Sequence, residues 1–169
     1  MSISNIVLHE SEYSRIRTTL NRLLRDTQAS LAMLIDRGGH SIAVEGDTAG
    51  IDLTSLASLA AASLSATDGL ANLLGEPDFS VLYHQGVRRS LYITDVAKRF
   101  SLVVILSGSV PLGMVRLKTS RAGSVIEEIF HSFLRKSSTG NGGAGAGRTA
   151  PDFTDDEIEK LVRRLKPGP

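Results

Sequence analysis

The segment LTSLASLAAASLSATDGLANLLG, residues 53–75, runs for more than twenty residues with a single charge, Asp68, and is otherwise mostly leucine, alanine, serine and threonine. A helix of that length, at about 1.5 Å per residue, reaches about 30 Å, enough to cross a bilayer. Its chemistry argues against a span. Six Ser and Thr residues, Asn72 and Asp68 interrupt the apolar surface, and an acid at the centre of a span costs on the order of 3 kcal/mol. The segment is expected to be a helix in water. Asp52 before it can accept hydrogen bonds from the first free N–H groups, and Gly75 after it can take the left-handed closing turn.

The flanking sequence supplies the elements that such a helix must pack against. Tyr13, Ile16, Leu20, Leu23 and Leu24 recur at three- and four-residue spacing with Arg15, Arg17, Arg22 and Arg25 between them, which predicts an amphipathic helix over about 11–27. LAMLID and SIAVEG flank RGGH, whose glycines suit a tight turn, so they form a hairpin. DFSVLYHQ, RRSLYITDV and FSLVVILS are β-rich runs separated by Gly86 with Val87 and by AKR. They predict a three-stranded meander in which the last run, the most continuously apolar, is central. Pro111 opens a last helix where a missing N–H costs nothing, with Leu112, Val115, Ala122, Val125, Ile126, Ile129 and Phe133 on its buried face.

The order is α-β-β-α-β-β-β-α, an α/β sandwich over residues 9–136. Residues 137–152, SSTGNGGAGAGRTAPD, lack apolar periodicity and are expected to be a flexible linker. Residues 153–166 then carry an acidic start, capping-box spacing between Thr154 and Glu157, and an apolar side made by Phe153, Ile158, Leu161, Val162 and Leu165. This is the pattern of a detachable amphipathic helix, a tail suited to an interaction through Phe153, Ile158, Leu161 and Leu165.

Composition limits the chemistry. Nineteen basic against eighteen acidic side chains leave a net charge of +1, so no global field draws the chain onto nucleic acid. With no cysteine, disulfides and cysteine-based zinc sites are excluded, and the N-terminus lacks the order of a secretory signal, which points to a cytoplasmic protein without membrane insertion. GGAGAGRT at 142–149 and GNGGAG at 140–145 match phosphate-loop and dinucleotide spacings, but a helix precedes them and Pro151 follows. His9, His40, His84 and His131 fall on four different elements, and no serine sits in a nucleophile elbow. No cofactor, metal site or self-contained active site is expected.

What the sequence offers is surface. Leu53, Leu56, Leu59, Leu70, Leu73 and Leu74 are expected to hold the central helix to the sheet, leaving Ala57, Ala61, Leu64, Ser65, Asp68 and Gly69 to face outward. The alternative is a helix sandwiched wholly in a core. An uncharged outer side on a helix that must cover one sheet face alone favours a self-association or partner surface.

The segments LIDRGGHSIAVEG, IDLTSLASLAAASLSATDGLANLLGE, YHQGVRRSLYI, LVVILS and LGMVRLKTSRA, in this order and spacing, resemble the roadblock/dynein-light-chain family, in particular its bacterial polarity proteins that act on a Ras-like GTPase. FTDDEIEKL is similar to the end of those proteins and here continues into a basic RRLK. The resemblance implies a five-stranded antiparallel sheet with the first and last helices on one face and the central helix on the other. It implies a homodimer in which central helices pair and the strand DFSVLYHQ meets its symmetry mate, the paired helices forming a platform for a small Ras-like GTPase, with two activator chains to one GTPase. Such a chain would act in polarity or motility control, concentrated at a cell pole through its partners. Ala61, Leu64, Ser65, Asp68 and Gly69 correspond to the platform, with Arg116, Lys118 and Arg121 at its periphery. Such an activator repositions the GTPase's own catalytic groups; an inserted arginine, Arg88 or Arg89, is the competing mechanism. A noncatalytic scaffold would use the same platform without stimulated hydrolysis.

Overall fold

The computed structural model describes residues 3–139. The glycine-rich motifs and the tail segment lie outside the described residues. The elements are α1 (Ile3–Thr27), β1 (Ala29–Asp36), β2 (Ser41–Gly46), α2 (Leu53–Leu74), β3 (Val81–Gln85), β4 (Arg89–Val96), β5 (Phe100–Ser107) and α3 (Leu112–Thr139). The strands form one antiparallel sheet in the order β2-β1-β5-β4-β3. β5 is central, as its unbroken apolar run requires, and β2 and β3 are the edges.

Alternation along the strands splits the core in two. Ala32, Leu34, Tyr92, Leu102, Val104 and Leu106 point to one face, where they meet Ile16 and Leu20 of α1 and Val115, Ile126 and Ile129 of α3. Leu31, Met33, Ile35, Ile93, Val103 and Ile105 point to the other face, where they meet Ala57, Ala60 and Leu64 of α2. Each fully buried aliphatic side chain removes enough area from water to contribute about 1.5–3 kcal/mol. Phe130 stacks on Phe100 with ring centroids 4.1 Å apart, closing the α3 side.

Several boundaries differ from the expected ones. α1 begins at Ile3 rather than near residue 11, because the segment before the apolar stripe contains no glycine or proline to stop a helix. β3 is limited to Val81–Gln85, since the preceding Pro77–Ser80 stretch makes no ladder with β4. α3 continues to Thr139 and takes in the first three residues of the expected linker. On α3, Leu112 and Val125 are exposed and Phe130 is buried; the buried stripe runs through Val115, Ala122, Ile126, Ile129, Phe130 and Phe133.

Candidate functional site: the outer surface of α2

α2 is fixed at both ends. The Asp52 carboxylate accepts from the backbone N–H groups of Thr54 and Ser55, each at 3.1 Å, and from the Ser55 hydroxyl at 2.7 Å. These donors, the Ser55 hydroxyl first, hold Asp52 below the usual carboxylate range. Gly75 closes the helix with φ 70°, and the N–H of Glu76 donates to the carbonyl of Ala71 at 2.9 Å.

The face turned to the sheet follows Ala57, Ala60, Leu64, Thr67 and Ala71 at alternating three- and four-residue steps. Most of the side chains that meet the sheet here are small. The tip of the β1–β2 hairpin comes close to the helix backbone, for a Cβ on Gly39 would stand 2.9 Å from Cα of Ser58, and Gly39 has φ +80°. Both facts require glycine at this position.

The leucines therefore turn the other way. Leu59, Leu70, Leu73 and Leu74 are 67%, 54%, 83% and 70% exposed, while Leu64 is 2% exposed. This reverses part of the sequence-based assignment: four leucines expected to grip the sheet face outward, and Ala57 and Leu64, expected outward, are buried. Leu53 and Leu56 are half-buried and pack beside the sheet-side cluster. The stripe that meets the sheet is mostly alanine, and Leu59 and Leu73, two positions from Ala57 and Ala71, therefore fall on the far side of the helix.

Three strips make up the outer surface. Ala62, Ala66, Gly69 and Leu73 form its crest. Leu59, Leu70 and Leu74 make an apolar shoulder, and Ser58, Ser65 and Asn72 a polar one. Ser65 and Gly69 are exposed, and a Cβ on Gly69 would meet nothing within 4 Å. Ala61 and Asp68 are half-buried between the polar shoulder and the sheet.

Asp68 also belongs to an ion network that sequence spacing could not reveal, since its members come from five elements or turns. Arg37, at the hairpin tip, donates to Asp68 at 2.9 Å and to Asp95 at 3.0 Å, and its Nε donates to the carbonyl of Lys98 at 3.3 Å. Asp95 accepts from the backbone N–H of Lys98 at 3.0 Å, where Ala97 and Lys98 both have positive φ, and the Lys98 ammonium pairs with Asp78. Burial pushes the Asp95 carboxyl up, outweighing the opposing influence of Arg37 and Lys98.

Arg116, Lys118 and Arg121 are not brought to this surface. They lie on α3, across the sheet, and Lys118 donates to Asp26 of α1 at 3.0 Å, holding that carboxyl below its ordinary range. Arg88 and Arg89 are exposed at the β3–β4 turn beside fully exposed Val87. His40 pairs with Asp36 at 2.9 Å and His131 faces Glu127 at 3.6 Å. Among the described residues, no cluster of three or more metal-ligating side chains occurs, and no helix is long and apolar enough to cross a membrane.

The sequence profile of the Roadblock/LC7 domain matches residues 15–106, from α1 through β5. The chain belongs to the roadblock/LC7 family. Among solved structures it is similar to Myxococcus xanthus MglB, with 40% identity over 72% of this chain and 91% of that one and a TM-score of 0.68. It is also similar to the gliding protein MglB from Thermus thermophilus, with 36% identity over 70% of this chain and 90% of that one and a TM-score of 0.65. An MglB in a tetrameric arrangement matches with 35% identity over 72% and 92% of the two chains and a TM-score of 0.68. No curated protein sequence matches the chain. In this roadblock chain the outer surface of α2 is an exposed, uncharged helical face, and β3, the edge strand, carries half-buried Leu82 on the same side of the sheet as α2.

Proposed function

We propose that this roadblock protein is a homodimeric activator of a small Ras-like GTPase of the MglA type, acting on the GTPase's own catalytic groups and contributing none. The observation that carries the proposal is the outward leucine and small-residue surface of α2 in a chain 35–40% identical to MglB proteins over most of its length. Exposed apolar area of this kind calls for a cover. A second α2 can lie along the leucine shoulder with Ala62, Ala66 and Leu73, where alanine permits close helix approach, which leaves Ser65 and Gly69 on the side away from it. The open edge of β3 can be covered in the same dimer, which removes a hazard of edge-to-edge aggregation. The polar shoulder, with Ser65, Asp68 and Ala61, then remains as the surface for the GTPase.

Stimulated hydrolysis without a donated arginine fits the α2 surface. Arg37, which reaches α2 through Asp68, is held by Asp68 and Asp95 and is not a loose finger. The test has two parts. Replacing Ser65 and Gly69 together with arginine should abolish binding of the GTP-bound partner, measured by titration, while circular dichroism and the dimer mass by light scattering stay normal. Loss of the dimer with the fold intact would place Ser65 and Gly69 in helix pairing instead, and an unfolded variant would place them in the core. Arg88→Ala and Arg89→Ala should each leave stimulated phosphate release within about tenfold of the parent, because a donated arginine accounts for about 10³ or more in rate. Binding with no stimulation in the parent protein would identify a noncatalytic roadblock scaffold.

A further inference from the structure

On the face of the sheet away from α2, α1 and α3 run antiparallel and leave a groove of about 480 Å³ between their outer sides. Its floor is apolar, made by Leu23, Ala122 and Val125, and Val125 is 41% exposed there. Its rim is basic: Arg22 on α1, Lys118 and Arg121 on α3. Asp26 engages Lys118 at 3.0 Å and lies only 4.0 Å from Arg22, whereas Arg121 has no carboxylate partner among the described residues. Farther along α3, one turn beyond Val125, lies exposed Glu128.

The chain itself contains a segment with the matching order. Residues 153–166 begin with Asp155, Asp156, Glu157 and Glu159, carry Phe153, Ile158, Leu161, Val162 and Leu165 at helical spacing, and end with Arg163, Arg164 and Lys166. We infer that this tail segment docks as a helix in the α1–α3 groove of its own chain, acids over Arg22, Lys118 and Arg121 and apolar side on Leu23, Ala122 and Val125. Its basic end would then point toward Glu128, so the docked tail runs parallel to α3.

Reach permits this. α3 ends at Thr139, and eighteen helical residues separate it from Arg121, a distance of about 27 Å. Residues 140–152 can extend to about 43 Å, and their glycine-rich composition gives a typical end-to-end distance of about 20 Å. Span and tether length are thus comparable, the regime in which a tethered segment is present at its site at effective concentrations on the order of millimolar. Because the groove and α2 lie on opposite faces of the sheet, this contact is independent of the surface proposed for the GTPase.

The absence of cysteine makes the test direct. In the full-length chain, Pro169→Cys carrying a nitroxide label should broaden the amide resonances of Thr19, Arg22, Ser124 and Val125 by at least half, leaving those of α2 unaffected. Reversing the tail alone, Asp155→Arg with Asp156→Arg, should erase the broadening, as should Arg22→Glu with Arg121→Glu. Combining the two reversals should restore it. Broadening confined to α2, or none in the parent chain, overturns the inference. So does groove broadening that depends on mixing an isotope-labelled chain with a separate spin-labelled one, which would assign the tail to a second copy.

Discussion

α3 and α2 cover opposite faces of one sheet with opposite distributions of side-chain size. α3 shares its face with α1 and buries large residues, among them Ile126, Ile129, Phe130 and Phe133, while presenting charge to water. α2 works alone, buries Ala57, Ala60 and Ala71 with Leu64, and presents leucines outward. Two helices can straddle a sheet and fill the space between with bulk. A single helix meets its sheet face along one stripe, here mostly alanine, and its large side chains are left for another surface to cover. Side-chain size alone therefore does not tell which side of such a helix faces the sheet.

The sharpest way to break this comparison is to truncate one leucine on each side of α2. Leu64→Ala should lose about 2–5 kcal/mol in urea denaturation, as should Ile126→Ala under α3, through lost burial and an unfilled cavity. Leu73→Ala should leave the fold's own stability nearly unchanged and weaken self-association in light scattering instead. Equal losses at Leu64 and Leu73 would mean that both sides of α2 are interior.

The contact of α2 with the hairpin tip can be probed separately. Gly39→Ala adds a Cβ that collides with the backbone of Ser58 at a positive φ, and it should cost on the order of 1–3 kcal/mol. A neutral outcome would show that helix and hairpin can separate freely.

The smallest expected effect lies at the cap. Asp52→Ala should lower the thermal midpoint at pH 7 by a few degrees, since two backbone donors and the Ser55 hydroxyl lose their acceptor. The folded-state carboxyl is depressed below its ordinary 3.8. Its stabilisation is therefore complete above that pH and lost as pH falls through the depressed folded value, so parent and variant should converge only in strong acid. A difference that grows on acidification would contradict the cap.

Much of this architecture was legible in the residues. RGGH between two apolar runs marked the first hairpin, the unbroken FSLVVILS marked the central strand, and Asp52 and Gly75 marked both ends of α2. The orientation of α2 was not legible, because its apolar residues occur on every side of the helix. Periodicity identified a helix but could not say which side faces the sheet. That depended on Gly39 and on the approach of a hairpin tip distant in sequence. Ser65 and Gly69 were placed outward correctly, Leu64 was not, and the link from Asp68 through Arg37 to Asp95 required the fold to bring a helix, a hairpin tip and a strand together.

The outward leucines also set a condition on how the protein can be made and used. A newly released chain carries Leu59, Leu70, Leu73 and Leu74 uncovered, so its time spent single should be governed by how many other copies surround it. If pairing covers them, abundance becomes a control variable, because stability and activity both rise with the fraction assembled. A cell that halves production of such a chain would then lose more than half of its working units.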